Sequence, residues 1–404
     1  MSEIRVTNVI GENGSSPVNF TQGINMSGIV TATSFVPTVG QLSHRNIIIN
    51  GAMQVAQRAT SSTDNGYAAL DRYRNVYNGT DEAPTQSQVD VAAGTTPYTL
   101  GFRKALKITN GNQTGGVGSN DNIQIWQRVE SQNMANSGWN YLSASSFVTL
   151  QFWIKSSIAQ NFQGYLLNED SSQNTFPFET GSLTANTWTK VTKVVPGNSN
   201  LVFNNDNGAG LRVAIVAFMG TDSTSNSLSL DTWTAYNHPS NFVRDCTTTW
   251  YTTNDATLEI TGLQLEVGDT ATSFEHKSEQ EELLRCYRYY YKMGKLDYKG
   301  THMAANEVYG IGMSDNDNTN IYCQINFPVP MREPPSTLDQ AGASNYNVRR
   351  DTTQTCTGNP SLTSGSEFSF RVNFPKSSHG WGTGQMLWCM SAGSSSYLGF
   401  SAEL

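Results

Sequence analysis

The sequence predicts a mainly β protein: an N-terminal stem, an antiparallel β-sandwich of jelly-roll type, and a small C-terminal β knob joined to it by a short helix. Three observations carry this reading. Short runs alternate apolar with polar residues between clusters of Gly, Asn and Ser, the period of strands that bury one face. Of 404 residues 35 are glycine and only 14% are charged, and the mean hydropathy is -0.42, which suits a β-rich chain with many polar turns. Between Ile47 and about Phe274, no segment of helical period and useful length interrupts the strands.

Taken in order, residues 1–43 hold short apolar pieces such as Ile24, Met26, Ile29 and Val30 between Gly and Asn turns. They are too sparse to form a core alone. Residues 44–277 supply the sandwich. Lys104 to Thr109 alternates; Val148, Leu150, Phe152 and Ile154 share one face, with Thr149, Gln151 and Lys155 on the other; Trp188 to Val195 alternates again. Leu211 to Met219 is apolar on both faces and reads as a central strand. In the last strand Leu258 and Ile260 hold one register, and Leu263, Leu265 and Val267 hold the next. A one-residue slip at Gly262 is the sequence form of a β-bulge.

Residues 278–292 read as the connecting helix. Ser278 and Glu281 have the spacing of a capping box, and Glu279 and Glu282 place negative charge at the favoured helix end. Leu283, Leu284, Cys286 and Tyr287 are expected to fill its inner face, whereas Tyr289–Tyr291 fit a helix end or a strand start equally well. Residues 293–404 form the knob, with strands expected at Tyr309–Met313, Ile321–Phe327, Glu367–Phe374, Gln385–Met390 and Tyr397–Phe400, separated by long polar loops.

Three stretches carry a resemblance: RNIIINGAMQVAQRATSSTDNGYAALDRYR at 45–74, LQLEVGDTATSFEHKSEQEELLRCYRYY at 263–290, and the closing YLGFSAEL at 397–404. Together they resemble the opening, the closing junction and the ending of jelly-roll-bearing tail-fibre and receptor-binding proteins of bacteriophages, and INMSGIVTATSFVP resembles the stem of fibres of marine and cyanobacterial phages. The resemblance implies a structural virion fibre, a homotrimer docked to other tail or neck proteins through its N-terminus. It also implies a sandwich of the carbohydrate-binding-module kind and attachment to host cell-surface polysaccharide. A head or neck fibre would have the same parts, and a virion-associated glycan depolymerase is the alternative of another class. Assembly in the host cytoplasm and location in the virion follow from the same resemblance.

The chemistry of the residues adds limits. A net charge of -8 and a pI near 5.2 argue against nucleic acid as a partner. No apolar run is long enough to insert in a membrane, and the opening Met-Ser-Glu-Ile-Arg is too polar for a secretory signal. Five widely spaced cysteines without a CxxC read as free thiols. The five histidines show no metal-ligand spacing, so neither a metal nor another cofactor is expected. Asp315 and Asp317 in SDNDNTN, and the NNDNG turn at 204–208, read as Asx-turns ahead of calcium loops. No nucleophile elbow or P-loop is present, and no catalytic residue is assigned.

Aromatic residues in polar loops remain. Trp and Tyr stack on sugar rings while neighbouring amides bind hydroxyls. Tyr346, His379, Trp381 and Tyr397, all in the knob, are the candidate glycan contacts, in loops taken to point away from an N-terminal docking site. Trp153 and Trp188 are assigned to the core or a subunit interface.

Overall fold

The computed structural model describes residues 43–404 apart from 171–172, 237–241 and 301–303. The expected stem, Ser43 excepted, lies outside the described residues, as do His238 and His302. The sandwich and the knob both belong to one compact unit that ends at Leu404.

The sandwich strands are β1 Tyr73–Asn78, β2 Thr85–Asp90, β3 Lys104–Thr109, β4 Asn122–Glu130, β5 Phe147–Ser156, β6 Asn161–Asn168, β7 Asn174–Ser182, β8 Thr189–Pro196, β9 Ala209–Met219 and β10 Thr257–Val267. They build two antiparallel sheets. Sheet A runs Ser61–Ser62, β2, β3, β10, β5, β8, and sheet B runs Thr234–Ala235, β7, β6, β9, β4, β1. The mainly β, antiparallel architecture expected from the alternation is therefore present. Val148, Leu150, Phe152 and Ile154 all point into the core between the sheets and are fully buried. β9, apolar on both faces, lies between β4 and β6. Its outer side is covered by Val243, with Phe242 packed alongside.

The slip at Gly262 is a bulge: the pairing of β10 with β5 shifts between Thr261 and Gln264. Gly262 has a φ of 65°, and a Cβ there would stand 2.7 Å from the Phe102 ring. Both the left-handed backbone and the close ring require glycine. Leu258, Ile260, Leu263 and Leu265 keep their side chains in the core across the shift.

The helix spans Glu279–Tyr287, and the Ser278 hydroxyl accepts the Glu281 amide at 3.2 Å. Leu283 and Cys286 bury against Ile49, Val55 and Tyr289. Leu284 does not join them and is 42% exposed. The inner position is taken instead by Glu282, whose carboxylate accepts the buried Asn50 amide at 2.5 Å. Neighbours on a helix point about 100° apart, so one face cannot hold residues 282, 283 and 284 together. The aromatic run resolves into a strand beginning at Tyr290.

The knob strands are β11 Tyr290–Gly294, β12 Val308–Ser314, β13 Ile321–Asn326, β14 Thr337–Gln340, β15 Tyr346–Arg349, β16 Ser369–Asn373, β17 Met386–Ser391 and β18 Tyr397–Ser401. One sheet has the order β11, β18, β14; the other runs Thr353–Thr355, β15, β17, β12, β13, β16, Ser361–Gly365. β14 falls in a stretch read as loop. Its TLDQ carries a single apolar residue, and pairing with β18 extends it, not its own pattern.

The three stretches that carry the resemblance meet at one buried seam. Arg72 forms an ion pair with Glu403 and lies 3.4 Å from the Tyr289 ring centroid. Arg58 pairs with the same carboxylate at 3.1 Å and covers the Tyr290 ring at 3.5 Å. Asp71 accepts the Gln57 amide at 2.7 Å, the Gln57 side chain donates to the Tyr290 carbonyl at 2.7 Å, and the Tyr67 hydroxyl donates to the Leu404 carbonyl at 3.0 Å. Burial pushes the Asp71 carboxyl up to about 6, against the opposing pull of Arg58 and the Gln57 hydrogen bonds. Residues 402–404 therefore return to the sandwich, where the sequence reading has the C-terminus directed outward.

Candidate functional site

The knob does not present its four candidate residues as a binding surface. Tyr346 is fully buried; its hydroxyl accepts the Ala341 amide at 2.8 Å and donates to the Tyr397 carbonyl. His379 is buried, and its Nδ1 accepts the Trp381 amide at 3.1 Å. Trp381 stacks on that imidazole with centroids 5.3 Å apart and packs, half-buried, against the knob core. Tyr397 begins β18, 4.3 Å from the Lys292 ammonium, far along the same core. A domain this small needs its large rings inside to bury enough surface. Of the four, Trp381 alone combines a loop with a partly open ring.

The aromatic surface lies on the outer face of sheet A. Trp153 stands on β5 between its partners Thr261 on β10 and Lys190 on β8. Beside it a pocket of about 320 Å³ is lined by Phe102, Gln151, Trp153, Lys190, Thr272, Ser273, Phe274 and His276 among others. Phe102, Phe274 and His276 form a triangle of rings with centroids 4.9 to 5.0 Å apart. The triangle is set by the bulge, because Phe102 occupies the space that a Cβ at residue 262 would fill. Bulges that re-aim side chains beside a site are common.

The rim is fixed by a buried carboxylate. Glu266 accepts the Thr272 amide at 2.9 Å and its hydroxyl at 2.6 Å, and Gln151 donates to the Thr272 carbonyl at 2.7 Å. His276 Nε2 lies 2.8 Å from the Leu100 carbonyl. Trp188 extends the surface, with the Lys155 ammonium 5.1 Å from its ring centroid; its indole N–H is buried without a hydrogen-bond partner among the described residues. Lys190 is exposed and forms no ion pair among them. The surface thus offers the rings of Trp153, Phe274 and His276 in a shallow pocket floored by the buried Phe102, with hydroxyl, amide and ammonium groups at the edge. The signal for Trp153 was present in the sequence: in VTLQFWIK it occupies the polar phase, with Thr149, Gln151 and Lys155.

A larger cleft of about 980 Å³ runs between the helix and the sandwich, lined by Arg45, Ile47, Leu284, Arg288 and Val329 among others. Its cations are already paired: Arg45 with Glu266 at 3.8 Å, Lys277 with Glu275, Arg285 with Glu282 at 3.4 Å and Arg288 with Glu130 at 2.6 Å. The acidic turns are Asx-turns. Asp317 accepts the Thr319 and Asn320 amides, which hold its carboxyl down at about 2, and Asp206 accepts the Gly208 amide. Among the described residues no cluster of His, Cys, Asp or Glu is arranged to hold a metal, and the five cysteines are free.

No family model matches the chain, and no curated protein does. Among solved structures, the enzymatically active domain of tailspike protein 4 from bacteriophage CBA120 aligns with 55% of this chain at 9% identity and a TM-score of 0.28; the aligned part is 21% of the tailspike chain. A CBM4 structure aligns with 55% of this chain and 99% of its own at 12% identity and a TM-score of 0.29. The N-terminal cellulose-binding domain of Cellulomonas fimi β-1,4-glucanase C covers 54% and 99% of the two chains at 11% identity and a TM-score of 0.25. Likeness this distant assigns neither ligand nor role.

Proposed function

We propose that this chain is a structural subunit of a phage fibre that attaches the virion to host cell-surface polysaccharide, and that it holds sugar rings on the outer face of sheet A. The observation that carries the reading is the pocket bounded by Trp153, Phe102 and Phe274, with the Thr272, Ser273 and Lys190 groups at its rim. Rings of this kind stack on the apolar faces of pyranoses, while rim groups bond their hydroxyls. The lining contributes rings, amides and hydroxyls, not the facing carboxylates that glycoside hydrolysis uses, so the role is binding, not depolymerisation. Release of reducing ends from host polysaccharide by the purified protein would overturn that part.

The fibre role, docking to tail or neck proteins through residues 1–43, and trimeric assembly rest on the resemblance of the three stretches. Self-assembly has further support in the knob: Ile311 and Met313 on β12 face Trp388 and Met386 on β17, all 47 to 72% exposed, an apolar strip suited to a second copy. Light scattering that returns a mass near 44.2 kDa for the full chain would overturn the trimer. The binding site is tested by Trp153→Ala with host polysaccharide in a calorimeter. Affinity should fall about tenfold, the worth of one aromatic stack, with the melting temperature nearly unchanged; undiminished affinity overturns the site.

A further inference from the structure

Sheet B carries a second aromatic feature, built differently from the first. Trp126 on β4 has Arg74 of β1 directly opposite on one side and Ala214 of β9 on the other. Three guanidinium groups surround its indole, with Arg212 at 3.8 Å, Arg128 at 5.3 Å and Arg74 at 5.4 Å from the ring centroid. Trp126 packs, half-buried, against the cluster that contains Ala214 and Tyr165. The indole N–H donates to Gln124 at 2.8 Å, which fixes its plane.

Glu169 and the Leu404 carbonyl serve this group, the latter accepting from Arg128 at 2.9 Å. Glu169 forms two hydrogen bonds with Arg128, at 2.9 and 3.0 Å, and also pairs with Arg212. Arg74 is left over: it makes no hydrogen bond or ion pair among the described residues, and its Nε is a buried atom without a partner. The Nε of Arg212, a residue 7% exposed, is likewise unpartnered. Burial first, then the Arg128 and Arg212 charges, lower the Arg74 pKa against the opposing pull of Tyr67 and Glu169. A half-buried guanidinium with no carboxylate in direct contact is costly unless an anion completes it. The chain as a whole carries -8, so a local surplus of positive charge is not a consequence of composition.

We infer that Arg74 and Trp126, supported by Arg128 and Arg212, form a subsite for an anionic sugar, the ring stacking on the indole and its carboxylate or sulfate meeting the Arg74 guanidinium. A planar guanidinium suits both anions because each presents paired oxygens to its fork of N–H donors. The inference deepens the polysaccharide reading and rests on it for ligand class, but it uses a different sheet and different residues. It assigns the glycan a negative charge, which the sheet A pocket, with the Lys190 ammonium as the charged group at its rim, does not demand.

The test uses the full chain, isothermal calorimetry and three probes: tetragalacturonate, a sulfated galactan tetrasaccharide and neutral galactotetraose. At least one acidic probe should bind more tightly than the neutral one, with affinity that falls as salt rises, and Arg74→Gln should weaken that binding about tenfold. Which acidic probe responds tells carboxylate from sulfate. Arg74→Lys, which keeps the charge and loses the fork, should restore part of the affinity; matched circular dichroism of all variants excludes a folding defect. Trp153→Ala separates the two sites. If Trp153→Ala abolishes every interaction and Arg74→Gln changes none, the anionic subsite is overturned and the sheet A reading stands. If Arg74→Gln removes acidic binding while Trp153→Ala changes nothing, the subsite stands and the sheet A reading fails. Absence of binding by both acidic probes overturns the subsite outright.

Discussion

The sandwich and the knob place their aromatic residues differently. The sandwich has a continuous core between two sheets and still leaves Trp126, Trp153 and Trp188 partly open on its faces. The knob places Tyr309, Tyr346, Phe370, Phe374 and Phe400 inside and draws even Trp381 against that core. Size explains the difference. A larger unit buries a larger fraction of its surface and can leave rings partly open on its sheet faces, whereas the knob draws most of its loop rings inside and leaves Phe368 and Trp388 exposed. An aromatic in a polar loop is therefore weak evidence of exposure when the domain around it is small.

The largest expected effect tests whether the two regions stand as one body. Arg72→Ala leaves Glu403 buried without its nearest cation, and breaking such a pair costs about 3–5 kcal/mol. Denaturant unfolding followed in both regions should shift together; a knob that unfolds at its former midpoint would show that the seam is not shared. Next is the helix between them. Leu283→Ala should lose about 2–5 kcal/mol and Leu284→Ala, at the open cleft, within about 0.5 kcal/mol. Equal losses would contradict the exposure of Leu284.

The seam should also respond to pH. Inside the fold Asp71 keeps its proton until about pH 6, and in the unfolded chain until about pH 4. Between those values the folded state binds more protons, so stability falls as pH rises through the window, by roughly 3 kcal/mol. Asp71→Asn should flatten the melting profile there, even if it lowers stability at every pH; a wild-type profile rising from pH 4 to 6 would reverse the assignment. The smallest effects test the contrast itself. Tyr346→Phe removes two buried hydrogen bonds and should cost about 1–3 kcal/mol without touching polysaccharide affinity. Trp381→Ala should likewise lower the melting temperature and leave binding intact, the reverse of Trp153→Ala. Loss of binding in Trp381→Ala without loss of stability would return the receptor site to the knob.

Much of the fold follows from local pattern. Alternation alone marks β3, β5 and β8, because a strand with one wet face must repeat every two residues, and β9 is marked by being apolar on both faces. The glycine at the phase slip identifies the bulge, since few other residues accept its φ, and Ser278 with Glu281 marks the helix start through bonds made within one turn. The outward face of Trp153 was legible by the same rule, though a tryptophan inside a strand invites a core assignment. These features depend on neighbours along the chain.

What only the tertiary structure decided depends on partners far away in sequence. Tyr346 is buried because its hydroxyl donates to the Tyr397 carbonyl of β18 and accepts the Ala341 amide, Leu284 is exposed because Glu282 answers the Asn50 amide, and β14 is a strand because β18 pairs with it. The stretches at 45–74, 263–290 and 397–404 announce themselves as motifs, yet their shared purpose is visible only where Arg58, Arg72, Tyr289, Tyr290 and Glu403 meet. Nor does spacing along the chain place Arg74, Arg128 and Arg212 around one indole. Strand order does that, by setting β1, β4 and β9 side by side, and Glu169 then bonds Arg128 and Arg212 and leaves Arg74 without a bonded carboxylate.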